Sequence, residues 1–456
     1  MNWELRRKTE AALKAAGEKW QTLFASAPLV TDSRRVTPGS VFVALRGERF
    51  DAHDFLSAVR EAGAVAAVVE RETPVDMPQL VVPDTRWAYM LLAAQRRRRF
   101  DGPVLAVVGS NGKTTTTQML AAILKEAFGD AFWATKGNFN NELGVSHTLL
   151  SMKAGDRMGL VEAGMNHPGE MAQLADMVRP DVVLVTNAQR EHQEFLATVE
   201  ATAYENGFMI AGAAKGARVA VPADDACAGI WEAMCVAAKK EAWLYTIRPD
   251  GRGVVRGSYA SGVLTLETPA GTCRIALRIQ GEHNVHNATG AACAAVAAGV
   301  PLEAVQRGLE AFEALPGRGA RTTFGAFTLI DDAYNANPDS VRASMRMTAE
   351  APGPRIFVLG AMGEIGAQSA RFHREMGEWA RSCGLDELWT VGEEPRLAAE
   401  AFGKGARTFS DCGELLAKLQ EILPAAGTLT VKASHSAGLE RVVRAIEACK
   451  RETSGQ

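Results

Sequence analysis

Apolar residues occur along this chain in short unbroken runs, separated by longer amphipathic stretches. The runs at 104–108, 158–162 and 182–186 lack any alternation of apolar and polar positions, which is typical of parallel strands that are covered on both faces. Similar runs occur before and after them, at 41–45, 66–69, 327–331, 355–360, 387–391 and 429–432. Strands that alternate with helical segments in this way predict an α/β fold with mainly parallel sheets.

Interruptions of the pattern divide the chain into three predicted α/β domains, 1–101, 102–314 and 315–456. This number agrees with a prior of about 150 residues per domain. In the second domain, short β-like segments between 253 and 282 precede an alanine-rich run at 287–299 that predicts a packed helix. The basic run at 96–99 ends a helix-like stretch, and we interpret it as a solvated helix end near a domain junction.

Composition excludes several classes of protein. The chain has 456 residues with 50 basic and 53 acidic side chains, a net charge of −3, which argues against nucleic-acid binding through bulk positive charge. No apolar run approaches the roughly 20 residues of a membrane helix, and the charged start does not resemble a signal peptide. The seven cysteines form no C-x-x-C pair, which favours free thiols. We expect a cytoplasmic monomer with no membrane insertion and no nucleic-acid partner.

The strongest local motif is a glycine-rich loop that follows the run at 104–108. It reads Gly109-Ser110-Asn111-Gly112-Lys113-Thr114-Thr115, and a helix is predicted to begin near Lys113. Backbone N–H groups of such a loop bind phosphate oxygens at the positive end of the helix. Lys113 is predicted to reach the β- and γ-phosphates, and the Thr114 hydroxyl to bind Mg²⁺. Val107 stands where the usual motif has its first glycine.

Two further polar residues follow predicted strands near this loop. Glu162 ends the run at 158–162, and His192 follows the run at 182–186. Ligands of α/β sheets bind at the carboxyl ends of the strands, and a triphosphate site needs additional ligands for magnesium. We therefore predict Glu162 and His192 as metal ligands, although a single histidine is more often structural.

Several longer motifs resemble the Mur ligase family, in the same order and over nearly the whole chain. The segments Asp32-Ser-Arg-Arg-Val-Thr-Pro-Gly-Ser and Asp51-Ala-His-Asp-Phe resemble its UDP-sugar-binding region, and the loop at 109–114 resembles its phosphate loop. The segments Thr135-Lys-Gly-Asn-Phe-Asn-Asn and Glu162-Ala-Gly-Met-Asn-His-Pro-Gly are similar to the branch that adds D-alanyl-D-alanine. Asp331-Asp-Ala-Tyr-Asn-Ala-Asn-Pro resembles the part of the family that closes over ATP and the incoming dipeptide. Gly281-Glu-His-Asn-Val-His-Asn resembles the family's adenine-contacting segment.

The resemblance implies a role for each domain and its residues. The first domain is expected to bind the UDP-sugar end of the substrate through Ser33, Arg34, Gly47, Asp51 and His53. The central domain is expected to bind ATP through Gly109, Ser110, Asn111, Gly112, Lys113, Thr114, Thr115, Asn284 and Asn287, with Mg²⁺ held by Thr114, Glu162 and His192. The Rossmann-like third domain is expected to close over ATP with Arg318, Asp331 and Tyr334. Further substrate contacts are expected from Lys136, Asn138, Asn140, Asn141, Asn335 and Asn337, and His373 is a weaker candidate for the closed site.

One departure from the family pattern concerns a lysine. Many members carry a carbamylated lysine soon after the metal-binding histidine, whereas no lysine lies between Lys153 and Lys215 here. Ungapped comparison places Asn206 at that position, preceded by Glu205. We hypothesise that Glu205, or a water held by Asn206, replaces the carbamate, so that activity needs no bicarbonate. A surface role for Glu205 is the competing interpretation.

The resemblance implies ATP-dependent amide formation through an acyl phosphate. A terminal carboxylate of UDP-N-acetylmuramoyl tripeptide attacks the γ-phosphate, and the amine of D-alanyl-D-alanine then displaces phosphate. Lys113, Glu162, His192, Arg318 and Mg²⁺ are expected to neutralise the charge that accumulates. Three alternatives stay open: the preceding Mur step, folylpolyglutamate synthesis, and a regulator that hydrolyses ATP to switch a partner.

Overall fold

The computed structural model describes residues 3–47, 50–191 and 193–454. In this part of the chain the strands form three separate sheets, made from residues 29–81, 104–276 and 320–432. Helices cover the sheets, and most strand pairs are parallel. The predicted α/β fold is confirmed.

The first sheet is small and entirely parallel, with strand order β1-β2-β3-β4. Its strands are Leu29–Val30 (β1), Val41–Val43 (β2), Ala66–Val69 (β3) and Gln79–Val81 (β4). The helices of this part are Trp3–Ala15 (α1), Glu18–Ser26 (α2), Leu56–Glu61 (α3) and Thr85–Arg97 (α4).

The central sheet has nine strands in the order β13-β12-β11-β10-β9-β8-β5-β7-β6. The strands are Val104–Val108 (β5), Phe132–Ala134 (β6), Met158–Glu162 (β7), Val182–Val185 (β8), Arg218–Pro222 (β9), Glu241–Thr246 (β10), Val255–Ala260 (β11), Val263–Thr268 (β12) and Gly271–Ala276 (β13). The helices are Lys113–Phe128 (α5), Glu142–Leu150 (α6), Glu170–Val178 (α7), Gln193–Leu196 (α8), Val199–Gly212 (α9), Ala228–Ala238 (α10), Glu282–Ala297 (α11) and Leu302–Ala311 (α12). The strands β11 to β13 pair antiparallel with one another.

The third sheet has the order β14-β15-β19-β16-β17-β18, with β14 antiparallel to β15. Its strands are Ala320–Phe324 (β14), Phe327–Asp332 (β15), Arg355–Leu359 (β16), Glu387–Val391 (β17), Ala406–Phe409 (β18) and Gly427–Lys432 (β19). The helices are Pro338–Ala349 (α13), Ser369–Ser382 (α14), Arg396–Phe402 (α15), Cys412–Ile422 (α16) and Glu440–Ser454 (α17).

The central sheet is packed on both faces, which explains its unbroken apolar strands. Along β5, Val104, Ala106 and Val108 belong to the cluster on one face, and Leu105 and Val107 to the cluster on the other. The strand therefore has no solvent-facing side that would select polar residues. None of the helices in the described part of the chain combines the length and apolar character needed to cross a membrane.

The prediction that the basic run at 96–99 is a solvated helix end is wrong in part, because part of the run is buried. Arg97 is 8% exposed, and its guanidinium donates to the carbonyl oxygens of Val178 and Arg179 and to the carboxylate of Asp181. Arg96 donates to the carbonyl oxygens of Phe24 and Ala27. We call the parts of the chain that contain the first, central and third sheets the first, central and third regions. The guanidinium groups of Arg96 and Arg97 bind the end of α4 to its neighbours, so the run stabilises the junction between the first and central regions.

Candidate active site

A cleft of about 1050 Å³ lies between the first, central and third regions, and each contributes to its lining. Arg86 comes from the first region, Lys113 from the central region and Arg318 from the third. Several lining residues lie at or just beyond the carboxyl ends of central strands, namely Ser110, Glu162, Asn187, Asp224 and Ile247. This edge is where parallel sheets bind their ligands.

The glycine-rich loop joins β5 to α5, as predicted, and two of its glycines cannot be replaced without strain. Gly109 has a φ of +128°, and a Cβ there would lie 2.1 Å from Thr186 Oγ1. Gly112 has a φ of +81°, and its Cβ would lie 2.5 Å from Asn287 Oδ1. Only glycine fits both the backbone angle and the space. The loop therefore has the close packing and the helix N-terminus that a phosphate cradle requires.

Lys113 lies folded against the loop from which it projects. Its ammonium group donates to the carbonyl oxygens of Gly109 and Ser110, each at 2.7 Å, and lies 3.2 Å from Glu191 Oε1. The side chains of Lys113 and Glu191 are only 12% and 11% exposed. The lysine charge is therefore held at the base of the cleft, beside the loop amides.

Glu162 joins the phosphate loop to the neighbouring strand. Its Oε1 accepts from the Thr114 hydroxyl at 2.9 Å and from the Asn140 amide at 2.8 Å. Its Oε2 is buried and has no hydrogen-bond partner among the described residues. Burial raises the pKa of this carboxyl, against the opposing effects of Asn140, Lys113, Thr114 and Arg318. A divalent cation would supply the compensating charge that this buried carboxylate lacks.

The residues present therefore fit a magnesium–triphosphate group. Hydroxyl and carboxylate oxygens of the kind offered by Thr114 and Glu162 are ligands that Mg²⁺ prefers, with the remaining positions filled by water and phosphate. The third predicted ligand, His192, lies outside the described residues. Within the described ranges, no three histidine, cysteine or acidic side chains converge on a common metal position.

Arg318 reaches the cleft from a loop that Asp331 braces. The guanidinium of Arg318 lies 4.0 Å from the ring centroid of Tyr334, and both residues line the cleft. Asp331 does not line the cleft; its carboxylate accepts from the Gly317 amide at 2.7 Å. Asp331 therefore positions the loop that carries Arg318. Its predicted direct contact with ATP is not supported.

Asn335 and Asn337 occupy different places in the third region. Asn335 is exposed and lines the cleft. Asn337 is buried, caps the start of α13, and exchanges amide hydrogen bonds of 2.8 and 3.2 Å with Asn111 of the phosphate loop. Asn337 therefore links the third region to the phosphate loop, and its side chain does not line the cleft.

The remaining predicted nucleotide residues are packed near the loop. Ser110, Asn111, Thr115, Asn284 and Asn287 all line the cleft. Sequence reasoning missed neighbouring lining residues that occupy comparable positions: Asp224, Ile247, His286 and Lys432. Three of these, Asp224, Ile247 and Lys432, lie at or just beyond the carboxyl end of a strand. The rule that identified Glu162 could therefore have found them.

The segment before α6 is only partly directed at the cleft. Asn138, Asn140 and Asn141 line it, and Asn141 also caps α6 by accepting from the Gly144 amide at 2.9 Å. Lys136 is exposed and does not line the cleft. Of these residues, Asn140 has the clearest link to the candidate site, through its contact with Glu162.

The predicted UDP-sugar residues form a separate group that does not line the cleft. Arg34 is paired with Asp32, with Nη2 2.8 Å from Oδ2, and its side chain is 87% exposed. Ser33 and Arg34 lie in a short 3₁₀ turn, Ser33–Arg35. Gly47 donates its backbone N–H to the carbonyl oxygen of Phe50. These positions leave Arg34 accessible to an anionic substrate group.

His53 departs from its predicted role as a direct sugar contact. The ring is buried, Nδ1 donates to Asp51 Oδ1, and Nε2 accepts from the Glu70 amide at 2.9 Å. Both ring nitrogens are therefore engaged within the protein. Asp51 also accepts from Arg71 at 2.9 Å, so the pair stabilises the local loop.

Two further hypotheses about titratable residues are wrong. Glu205 does not replace a carbamate in the cleft, because its Oε1 accepts from the Gly169 and Met171 amides at the start of α7. The competing surface role is wrong too, because Glu205 is only 5% exposed. His373 neither lines the cleft nor lies on the helix surface: it is fully buried, with Nδ1 donating to the Ser369 carbonyl oxygen and Nε2 accepting from the Met362 amide. Both side chains therefore bind backbone groups within the protein and lie away from the cleft.

Asn206, at the position of the family's carbamylated lysine, binds the phosphate loop directly. Its Oδ1 accepts from the Gly109 amide at 3.1 Å, and its Nδ2 donates to the Thr202 carbonyl oxygen at 3.0 Å. The side chain is 1% exposed. Instead of holding a water in the cleft, this asparagine fixes the first glycine of the loop.

A strand, a glycine-rich loop and a helix that together form a phosphate cradle, with an acidic residue on the adjacent strand, define a phosphate-loop nucleotide-binding protein. Family models agree along the chain: "Mur ligase family, catalytic domain" matches residues 28–100, "Mur ligase middle domain" 107–295 and "Mur ligase, glutamate ligase domain" 317–435. The chain belongs to the Mur ligase family.

Individual relatives are similar over almost their whole length. UDP-N-acetylmuramoyl-tripeptide--D-alanyl-D-alanine ligase of Escherichia coli is 35% identical over 92% of this chain and 93% of its own. A crystal structure of MurF from Acinetobacter baumannii has a TM-score of 0.85 at 30% identity and covers 96% of this chain and 98% of its own. MurF ligase from Thermotoga maritima, in complex with ADP, has a TM-score of 0.82 at 26% identity, over 94% and 99%.

Proposed function

We propose that this protein is an ATP-dependent ligase that joins D-alanyl-D-alanine to the terminal carboxylate of UDP-N-acetylmuramoyl tripeptide. The observation that carries the proposal is the shared cleft, in which Lys113 and Glu162 of the phosphate-binding side face Arg318 of the third region. The named relatives, similar over more than nine-tenths of the chain, support this substrate pair. The products are the pentapeptide precursor of peptidoglycan, ADP and phosphate.

The main chemical problem is repulsion, because a carboxylate must approach a triphosphate. Lys113 and Arg318 provide positive charge from opposite sides of the cleft, and the amides at the start of α5 provide further donors. The carboxylate takes the γ-phosphoryl group, and the dipeptide amine then attacks the activated carbonyl while phosphate leaves. Positioning and charge neutralisation carry such a reaction, with little covalent participation by the protein.

Thr114 and Glu162 would hold Mg²⁺ in this proposal, together with His192. The cation would supply Lewis-acid charge to the phosphate oxygens. Asn140 and Thr114 orient the Glu162 carboxylate through its Oε1, which leaves Oε2 without a hydrogen-bond partner among the described residues. We propose that the enzyme is cytoplasmic. We also propose that it acts as a monomer, since a single chain contributes all three sides of the cleft.

The alternatives receive less support. A folylpolyglutamate synthase and the diaminopimelate-adding ligase of the preceding step share the fold, with TM-scores of 0.62 and 0.52 at 18% and 20% identity. At this level of identity the likeness concerns the fold alone. An ATP-hydrolysing regulator predicts ADP release without an amide product.

The substrate pair is tested by incubating the protein with ATP, Mg²⁺ and UDP-N-acetylmuramoyl tripeptide, and offering D-alanyl-D-alanine, diaminopimelate, lysine and glutamate in parallel. We expect a condensed product by mass spectrometry only with D-alanyl-D-alanine. A parallel reaction replaces the tripeptide by UDP-N-acetylmuramoyl dipeptide, and its condensation with diaminopimelate or lysine would support the preceding step. ADP release with no condensed product under any condition would support a regulator.

Activity should be independent of bicarbonate, because Asn206 cannot form a carbamate and already binds Gly109. We expect equal initial rates in decarboxylated buffer and in buffer with added bicarbonate, measured by ADP release. The coupling enzymes are assayed alone in both buffers as a control. Loss of activity on decarboxylation, with recovery on adding bicarbonate, would show that a lysine elsewhere supplies a carbamate.

A further inference from the structure

We propose that Arg190 is a positioning residue that couples the seating of the third region to the geometry of the phosphate loop. The proposal rests on the proposed function, because it assigns Arg190 to the ligation that this cleft performs. It concerns the segment 187–191, which follows β8 and lies between the phosphate loop and the third region. The residues of this segment make contacts in two opposite directions.

On one side, successive residues of the segment form hydrogen bonds or an ion pair with the phosphate loop. The Asn111 amide donates to Asn187 Oδ1 at 2.9 Å, and the Asn111 side chain donates to Gln189 Oε1 at 2.6 Å. The Gln189 amide donates to Ser110 Oγ at 3.0 Å. Glu191 completes the set through its ion pair with Lys113. A displacement of this segment therefore displaces the loop and its lysine.

On the other side, Arg190 holds two carboxylates of the third region. Its guanidinium lies 2.6 Å from Asp339 Oδ1 and 2.9 Å from Glu375 Oε1, and its backbone N–H donates to Asp339 Oδ2 at 2.9 Å. The guanidinium also lies 5.2 Å from the ring centroid of Phe372. Asp339 belongs to α13, whereas Phe372 and Glu375 belong to α14. Arg190 thus joins two helices of the third region to the segment.

A second contact shows that the start of α13 is the part of the third region seated on the phosphate loop. Asn337 caps α13 and pairs with Asn111 of the loop, and Asp339 lies in the first turn of the same helix. Both contacts, that of the N-cap Asn337 and that of Asp339 in the first turn, therefore meet at one helix terminus. The loop is fully braced only when α13 occupies this position.

The chemistry of Arg190 suits this task better than that of lysine. Its side chain is 19% exposed, and those of Asp339 and Glu375 are 23% and 20% exposed, so the group is shielded from much of the solvent screening. A planar guanidinium donates to two carboxylates at fixed angles, while an ammonium acts as a single point charge. We infer that arginine fixes the angle between α13, α14 and the segment.

The test compares Arg190→Ala and Arg190→Lys with the wild type in the ligation assay. We expect kcat to fall by roughly 10- to 100-fold in Arg190→Ala, with the KM for the UDP-linked tripeptide changed by less than about threefold, because its UDP end is held by the first region. Arg190→Lys should recover part of kcat. Arg252→Ala is the control, since it removes a bidentate pair with Glu232 inside the central region.

The coupling itself is measured without turnover. Small-angle scattering with UDP-N-acetylmuramoyl tripeptide, Mg²⁺ and a non-hydrolysable ATP analogue should show the wild type and Arg252→Ala in the compact form, and Arg190→Ala in a more extended one. A double variant with Asp339→Asn should lose little more kcat than Arg190→Ala alone. Thermal unfolding confirms that each variant is folded.

Wild-type kcat, or wild-type compaction, in a folded Arg190→Ala variant would overturn the proposal. An equal loss in kcat and rise in KM, with unchanged compaction, would also overturn it, because it would indicate a local structural defect. A wild type that compacts with ligands yet forms no amide would count against the proposed function. In that case the scattering comparison alone would decide the role of Arg190.

Discussion

Replacing Lys113 by alanine should lower kcat for ligation by about 10²-fold or more, because it removes a fixed positive charge from the base of the cleft. The ammonium group is held within 2.7 Å of two loop carbonyl oxygens and 3.2 Å of Glu191. The lysine charge offsets the repulsion between the carboxylate and the triphosphate, and this repulsion is greatest in the transition state. The loss should therefore appear in kcat and kcat/KM together. Initial rates of ADP release and of amide formation measure the effect.

Lys125→Ala is the matched control for this variant. Lys125 lies in the same helix, α5, but its side chain is 55% exposed and pairs with Asp130 away from the cleft. Its replacement should leave kcat within about twofold, since exposed ion pairs contribute little. Near-normal turnover in a folded Lys113→Ala variant would contradict the assignment of the phosphate loop.

Replacing Glu162 by glutamine should also lower kcat for ligation by about 10²-fold, yet should not lower thermal stability in the absence of metal. The amide oxygen can still accept from Thr114 and Asn140, so local geometry is kept. Burial raises the pKa of the Glu162 carboxyl, and removing a buried charge therefore removes a desolvation cost. Calorimetry of the metal-free proteins and titration with Mn²⁺ give the stability and the metal affinity separately.

Glu126→Gln is the control for the loss of a carboxylate. Glu126 pairs with Arg307 at 2.9 Å, and its side chain is 36% exposed, so its replacement should change neither metal affinity nor activity. The Glu162→Gln variant should bind Mn²⁺ more weakly than the wild type. Unchanged Mn²⁺ affinity together with full activity would exclude Glu162 as a metal ligand.

The local parts of the site were predictable from sequence because each depends on a short segment. The loop at 109–114 carries its own strand, turn and helix signals, and its glycines prove to be sterically required. Glu162 was predicted from its position at the end of a strand, and its contact with Thr114 spans two parallel strands that are direct neighbours. The apolar runs predicted parallel strands, but the order that places β7 beside β5 is seen only in the structure.

Contacts between regions could not be predicted, because they depend on orientations that no local pattern encodes. The pairs Arg190–Asp339 and Asn111–Asn337 join residues 149 and 226 positions apart. Burial also changed several interpretations: His53 and His373 are polar residues whose nitrogens are all engaged internally, and sequence shows only that a histidine is present. Asn206 differs from these histidines, because the sequence already marked its position as unusual: it stands where the family has a lysine. Its direct contact with Gly109 could be seen only in the structure.

The central claim is that the protein activates the tripeptide carboxylate by phosphorylation before amide formation, and isotope transfer tests it most directly. UDP-N-acetylmuramoyl tripeptide labelled with ¹⁸O in its terminal carboxylate is incubated with ATP, Mg²⁺ and D-alanyl-D-alanine, and the phosphate released is analysed by mass spectrometry. The account predicts one ¹⁸O atom in each phosphate, together with an equal amount of the condensed pentapeptide. Unlabelled phosphate, with or without the condensed product, would contradict it.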